Sequence, residues 1–98
     1  MSQQREYYTF YFKIAYTERT TNDSFDPDMT ISDFISSAKI RLKNVFDLLW
    51  EEDVIEIVEA GQNLSESAPK LEPSERTLSE VYGHKWKNTA FYLRNSTN

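Results

Sequence analysis

The chain has 98 residues, which suits one domain burying roughly 60–65% of the surface of its extended form and leaves no room for a second core. Sixteen acidic against eleven basic residues give a formal charge of -5, a balance that opposes binding to a phosphate backbone. Cysteine is absent, which excludes disulfides and thiolate zinc sites, while six Phe, six Tyr and two Trp supply the large side chains a small core needs.

The opening Met1 to Glu6 is polar and lacks the apolar stretch of a signal peptide, and no run approaches a membrane span. The expected location is therefore the cytoplasm or nucleus of a cell, a virus-infected cell included. Tyr7 to Tyr16 alternates as a half-buried strand, with Tyr8, Phe10, Phe12 and Ile14 on the core side and Tyr7, Tyr11 and Lys13 on the other. Glu18 to Asp23 is polar and reads as a long hairpin connection, after which Ser24 and Phe25 resume an extended chain that Pro27 closes.

Thr30 with Asp33 fits a capping box that opens a helix. Its apolar stripe runs through Ile31, Phe34, Ile35, Ala38, Leu42, Val45, Phe46 and Leu49, predicting one extended helix or a pair broken near Lys43. Val54 to Glu59 reads as a strand with Ile55 and Ile57 inward and Glu56 and Val58 outward, ending at Gly61, which takes positive φ cheaply. Gln62 to Pro73 is a polar connection, and Thr89 to Arg94 is the last strand.

Two segments carry a resemblance. Phe25-Asp26-Pro27-Asp28-Met29-Thr30-Ile31-Ser32-Asp33-Phe34 is similar to the segment that leads the second strand of ubiquitin into its helix, and Leu71-Glu72-Pro73-Ser74-Glu75-Arg76-Thr77-Leu78-Ser79-Glu80 resembles the one before its last strand. They occur in the same order, and the resemblance covers most of the chain from Tyr8 to Arg94. It implies an α+β class and a ubiquitin-like β-grasp fold: a single domain over residues 1–98, core about 7–94, whose mixed four- to five-stranded sheet wraps one main extended helix. The first and last strands would then pair in parallel at the sheet centre.

The family's attachment chemistry uses a C-terminal diglycine, whereas this sequence ends Leu93-Arg94-Asn95-Ser96-Thr97-Asn98. The resemblance thus implies a non-conjugating interaction module or adaptor that mimics ubiquitin toward the ubiquitin machinery. Val58 falls at the central residue of ubiquitin's contact patch, and Tyr11, Lys13, Glu56, Tyr92 and Arg94 are placed on the same face, provided that Phe91 and Leu93 point inward. Trp50 reads either as core packing or as an anchor for a partner, and Trp86 as a further contact or a packed ring.

Two other readings keep binding but change its mode. A Ras-association-like or Phox-and-Bem-like domain would use the Thr17-to-Asp23 edge and the acidic Glu51-to-Glu59 segment. An acidic inhibitor would imitate nucleic acid by charge, although the excess is modest and basic groups intersperse the helix. No enzyme is expected: the lone His84 has no cysteine partner, and no glycine-rich elbow positions a nucleophile. Asp26 and Asp28 lack calcium-loop spacing and are assigned to the helix start, so neither metal nor cofactor is expected, and the partner is another protein rather than nucleic acid or membrane.

Overall fold

The computed structural model describes residues 6–60 and 68–97. Its elements are β1 (Tyr8–Ile14), β2 (Thr20–Phe25), α1 (Ile31–Val45), β3 (Ile55–Ala60), α2 (Leu78–Tyr82) and β4 (Ala90–Asn95), with 3-10 turns at Glu52–Val54 and Gly83–Asn88. The strands form one mixed sheet in the order β2-β1-β4-β3. β1 and β4 run parallel at its centre, with Phe12 opposite Phe91 and Ile14 opposite Leu93, while both outer pairings are antiparallel. This is the four-stranded β-grasp of the α+β class. The turn proposed at Gly61, and residues 62–67 of the connection after it, lie outside the described residues.

The alternation of β1 puts Tyr8, Phe10, Phe12 and Ile14 into a core shared with Phe25, Phe34, Leu42, Ile55, Ile57, Leu78, Phe91 and Leu93. Phe10, Phe12, Phe25, Phe34 and Phe91 make one aromatic cluster. Phe34 from the helix lies 4.8 Å from the Phe25 ring and 5.2 Å from the Phe91 ring, centroid to centroid. Edge-to-face contacts at this range add to the gain from burial. β2 starts earlier than the sequence suggested. Thr20 to Asp23 pair with Lys13 to Phe10, so the connection shrinks to Ala15 to Arg19. A polar edge strand that buries little beyond Phe25 has the composition of a loop but the backbone pairing of a strand.

Thr30 caps α1, its hydroxyl accepting from the Asp33 N–H at 3.1 Å. The helix is 15 residues long, shorter than the stripe predicted. Leu48 N–H donates to the Lys43 carbonyl and Asp47 N–H to that of Asn44, while Asp47 takes φ of 54°. That is a Schellman stop with aspartate in the left-handed position where glycine is usual. The chain consequently leaves the helix axis before Leu49, which is 95% exposed, and Val45 is exposed as well. Arg19 also donates to the Phe46 carbonyl, tying the first hairpin to the helix end.

The two segments that carried the resemblance are bonded to each other. Ile31 N–H donates to the Arg76 carbonyl and Ser32 N–H to that of Ser74, and in return Leu78 N–H donates to the Met29 carbonyl and Ser79 N–H to that of Pro27. The free donors of the first turn of α1 are thus satisfied by backbone 42 to 45 residues downstream. α2 opens with a complete capping box, Thr77 and Glu80 each bonding the other's backbone N–H.

Candidate functional site

The sheet has one face on α1 and one turned away from it. Strand alternation places Thr9, Tyr11 and Lys13 of β1, Asn22 and Ser24 of β2, Glu56 and Val58 of β3, and Tyr92 and Arg94 of β4 on the outer face. Phe91 and Leu93 are buried in the core, which fixes the last strand in the register that turns Tyr92 and Arg94 outward. Pairing brings Lys13 opposite Tyr92, Tyr92 opposite Val58, and Arg94 opposite Glu56, so the six residues singled out in the sequence do share one face.

Their surroundings divide that face in two. On the β3–β4 side Val58 is 0% exposed although it stands outside the helix-facing core. This corrects the expectation of a surface patch centred on it. Arg94 forms a pair with Glu56, its Nε and Nη2 donating to Glu56 Oε1 at 2.9 and 2.6 Å, and its Nη1 donates to the Ala68 carbonyl. Leu71 N–H donates to the Ile57 carbonyl at 2.7 Å along the outer edge of β3. Glu56 and the Ala68 carbonyl thus occupy the guanidinium that a partner would have met.

On the β1–β2 side the face is open. Tyr11 is 65% exposed and Tyr7, just before β1, is 54% exposed. Between them Thr9 and Ser24 hydroxyls lie 2.7 Å apart, a cross-strand bond that levels the surface. Lys13 Nζ sits 5.9 Å from the centre of the Tyr92 ring, marking the border between the open and covered sides.

Both tryptophans pack against the core as partly buried rings. Trp86 stacks on Tyr8 with centroids 5.0 Å apart and planes 10° apart, so the loop-like stretch around it is a 3-10 turn held down by its aromatic side chain. The Tyr82 hydroxyl donates to Glu59 Oε1 at 2.8 Å; burial first, then that carboxylate, push the hydroxyl well above the ordinary phenol range. The Glu80 carboxyl is held below its usual range by its bonds to Thr77. Tyr7 escaped the sequence reading as a contact residue although its odd-numbered position placed it beside Tyr11. Thr77 with Glu80 fits the same capping pattern that identified Thr30.

Among the described residues no group of three or more His, Cys, Asp or Glu could hold a metal ion, and no helix is long and apolar enough to cross a membrane. No protein-family profile and no curated protein matches the sequence. Among solved structures, the fold is similar to the solution structure of the C-terminal ubiquitin-like domain of mouse tubulin-specific chaperone e, with a TM-score of 0.62 at 11% identity, covering 97% of this chain and 92% of that one. At that identity the likeness establishes the ubiquitin-like fold.

Proposed function

We propose that the chain is a non-covalent protein-interaction module whose docking face is the open half of the outer sheet, centred on Tyr11. The observation that carries this reading is the division of the face: Val58 is covered while Tyr11 and Tyr7 stand out together from a sheet. Tyrosines on a rigid strand supply large contact area for little lost side-chain entropy, and they are favoured in protein contacts. Lys13 and the Tyr92 ring provide a polar rim at the border. The covered Val58 removes the central anchor that imitation of ubiquitin's patch requires, so the favoured partner is a protein that meets the aromatic half. A photo-crosslinking residue placed at Tyr11 should capture partners from a cell extract, and the same residue at Lys39 on the helix should not. Equal capture from both positions would place the contact elsewhere.

One observation favours a second mode, addition of a strand at β2. The Ile14 N–H donates to the Arg19 carbonyl, which sets the ladder so that Thr21 and Asp23 bond β1 and the amides of Thr20, Asn22 and Ser24 turn to the open edge. Ser24 is already engaged, its N–H with Asp23 Oδ1 and its carbonyl with Arg41 Nη1. Thr20 and Asn22 remain for an incoming strand, whereas the opposite edge at β3 is bonded by Leu71. Asn22→Pro removes one edge donor without disturbing the ladder and separates the modes: it should abolish strand addition and leave docking through Tyr11 intact.

A further inference from the structure

Charge is unevenly placed along the chain. Residues 1–80 hold all sixteen acidic and eight of the eleven basic residues, whereas residues 81–98 hold Lys85, Lys87 and Arg94 and no acid. Arg94 is paired with Glu56, which leaves the two lysines of the 3-10 turn Gly83–Asn88, with His84 beside them. All three are exposed, and neither lysine forms an ion pair with a described residue.

The turn that carries them is fixed at both ends and in the middle. The Gly83 N–H donates to the Ser79 carbonyl, tying the start of the turn to α2. At its end Thr89 donates twice, from its hydroxyl to the Lys85 carbonyl at 2.9 Å and from its N–H to the Trp86 carbonyl at 3.1 Å. Between them the Trp86 ring lies on Tyr8, which belongs to the core side of β1, so Trp86 packs on the opposite side of that strand from Tyr11.

This anchoring decides what the turn presents. Side chains three apart in a 3-10 turn overlie each other. With Trp86 held on Tyr8, His84 and Lys87 share a second side of the turn and Lys85 with Asn88 the third. The Lys85 and Trp86 carbonyls are already bonded to Thr89, so the groups offered outward are donors and cations. Lys87 Nζ lies over the Trp86 ring, 5.6 Å from its centre, a contact that restrains an otherwise flexible stem.

Carboxylates on adjoining elements are turned to other groups. Glu80 Oε1 accepts from Thr77, Glu59 Oε1 from the Tyr82 hydroxyl, and Asp26 Oδ1 from the Asp28 N–H. Glu6, before β1, is exposed, and none of the four pairs with Lys85 or Lys87. The lysines therefore stand as unneutralised cations on a rigid support, and a rigid support lowers the ordering cost of binding.

We infer that the Gly83–Asn88 turn docks a short acidic segment of a partner protein, with its carboxylates against Lys85 and Lys87. Lysines are point charges that impose no bidentate geometry, so they suit a run of carboxylates. A long polyanion or an anionic membrane would also face the acidic remainder of a chain with net charge -5, whereas a few carboxylates meet the turn alone, since screening confines the interaction to about 10 Å. The inference does not depend on docking at Tyr11.

The test is an NMR titration of the intact chain with the blocked peptide acetyl-Gly-Glu-Glu-Asp-Glu-Gly-amide, alongside the same peptide with Gln and Asn in place of its acids. The acidic peptide should bind with a Kd of roughly millimolar order and shift the Lys85 and Lys87 amides and the Trp86 indole N–H, and the neutral one should bind at least about fivefold more weakly. Raising salt from about 0.05 M to about 0.3 M should weaken the acidic peptide by about threefold or more. Lys85→Gln with Lys87→Gln should weaken it by about fivefold with the melting temperature unchanged, while Lys39→Gln with Lys43→Gln, which removes the same charge from α1, should leave binding within about twofold. Equal affinity for the two peptides, shifts confined to other residues, or equal losses from the two double variants would each overturn the assignment. Binding of phosphatidylserine vesicles or of a single-stranded oligonucleotide without binding of the peptide would overturn it too, in favour of that partner. If the Lys85 and Lys87 variant melts lower, the peptide and salt comparisons on the unaltered chain decide.

Discussion

Val58→Asp and Tyr11→Asp put the same charge on the same sheet face, and the structure predicts opposite consequences. Val58 is fully covered and lies opposite Tyr92, with Glu56 two positions away on the same side. Replacing it forfeits about 1.5–3 kcal/mol of side-chain burial, and the new carboxylate must be desolvated near an existing one. An uncompensated buried charge brings the expected loss to about 3–5 kcal/mol. Tyr11 is mostly in water, so its replacement should change stability by no more than about 0.5 kcal/mol. Urea unfolding followed by Trp fluorescence reads the difference directly: with m of about 1–3 kcal/mol/M, the Val58 variant should lose 1 M or more in its midpoint. Its partner capture should fall only as far as unfolding accounts for, while Tyr11→Asp should lose capture with its midpoint unchanged. Two variants within about 1 kcal/mol of each other would show that Val58 is not covered, and the divided face would have to be given up.

The remaining predictions concern the core, the helix end and pH. Phe34→Ala deletes the ring joining the helix to Phe25 and Phe91 and should cost about 3–5 kcal/mol in chemical unfolding; less than about 1 kcal/mol would place Phe34 outside the core. Asp47→Gly relieves the left-handed residue of the Schellman stop and should raise stability by about 0.5–1 kcal/mol, seen as a higher melting temperature; a drop would mean the Asp47 side chain contributes more than its backbone costs. The Tyr82 hydroxyl titrates above its ordinary value of 10.0, so the folded state keeps a proton the unfolded chain loses. Its contribution is therefore whole below about pH 10 and falls as the pH rises beyond that. Tyr82→Phe should flatten the alkaline limb of the stability curve, and an unchanged limb would assign the loss to other groups.

The sequence disclosed the elements that depend on side-chain pattern. β1 and α1 have clear periods because each buries one face, and Thr30 announces its cap. The order of elements came from the two segments around Thr30 and Thr77, and their mutual hydrogen bonds explain why they keep recognisable form: each supplies the backbone partners of the other. What escaped was decided by backbone bonds or by distant chain. β2 is held by a ladder with β1 and carries loop-like side chains. The helix stop uses Asp47, not glycine, so the apolar stripe could be followed past it to Leu49. Val58 has the outward direction read from alternation, yet direction is local and exposure is not: distant chain such as Ala68 meets that half of the sheet through Arg94, and no period in residues 54–59 encodes it.

The two non-glycine residues with positive φ, Asp47 and Tyr16, show how the same backbone state carries different meaning. At Asp47 the conformation ends the helix, with the Asp47 and Leu48 amides bonded to the last carbonyls, and a short polar side chain tolerates the left-handed region with little penalty. Both the stop and its residue are accounted for by the helix. At Tyr16 the turn is closed by the Thr17-to-Ile14 bond, and glycine would make the same turn without the steric cost. The Tyr16 side chain is 72% exposed at this hairpin end. The left-handed state therefore closes a helix in one place and a hairpin in the other, at small cost for a short polar side chain and at larger cost for an aromatic one.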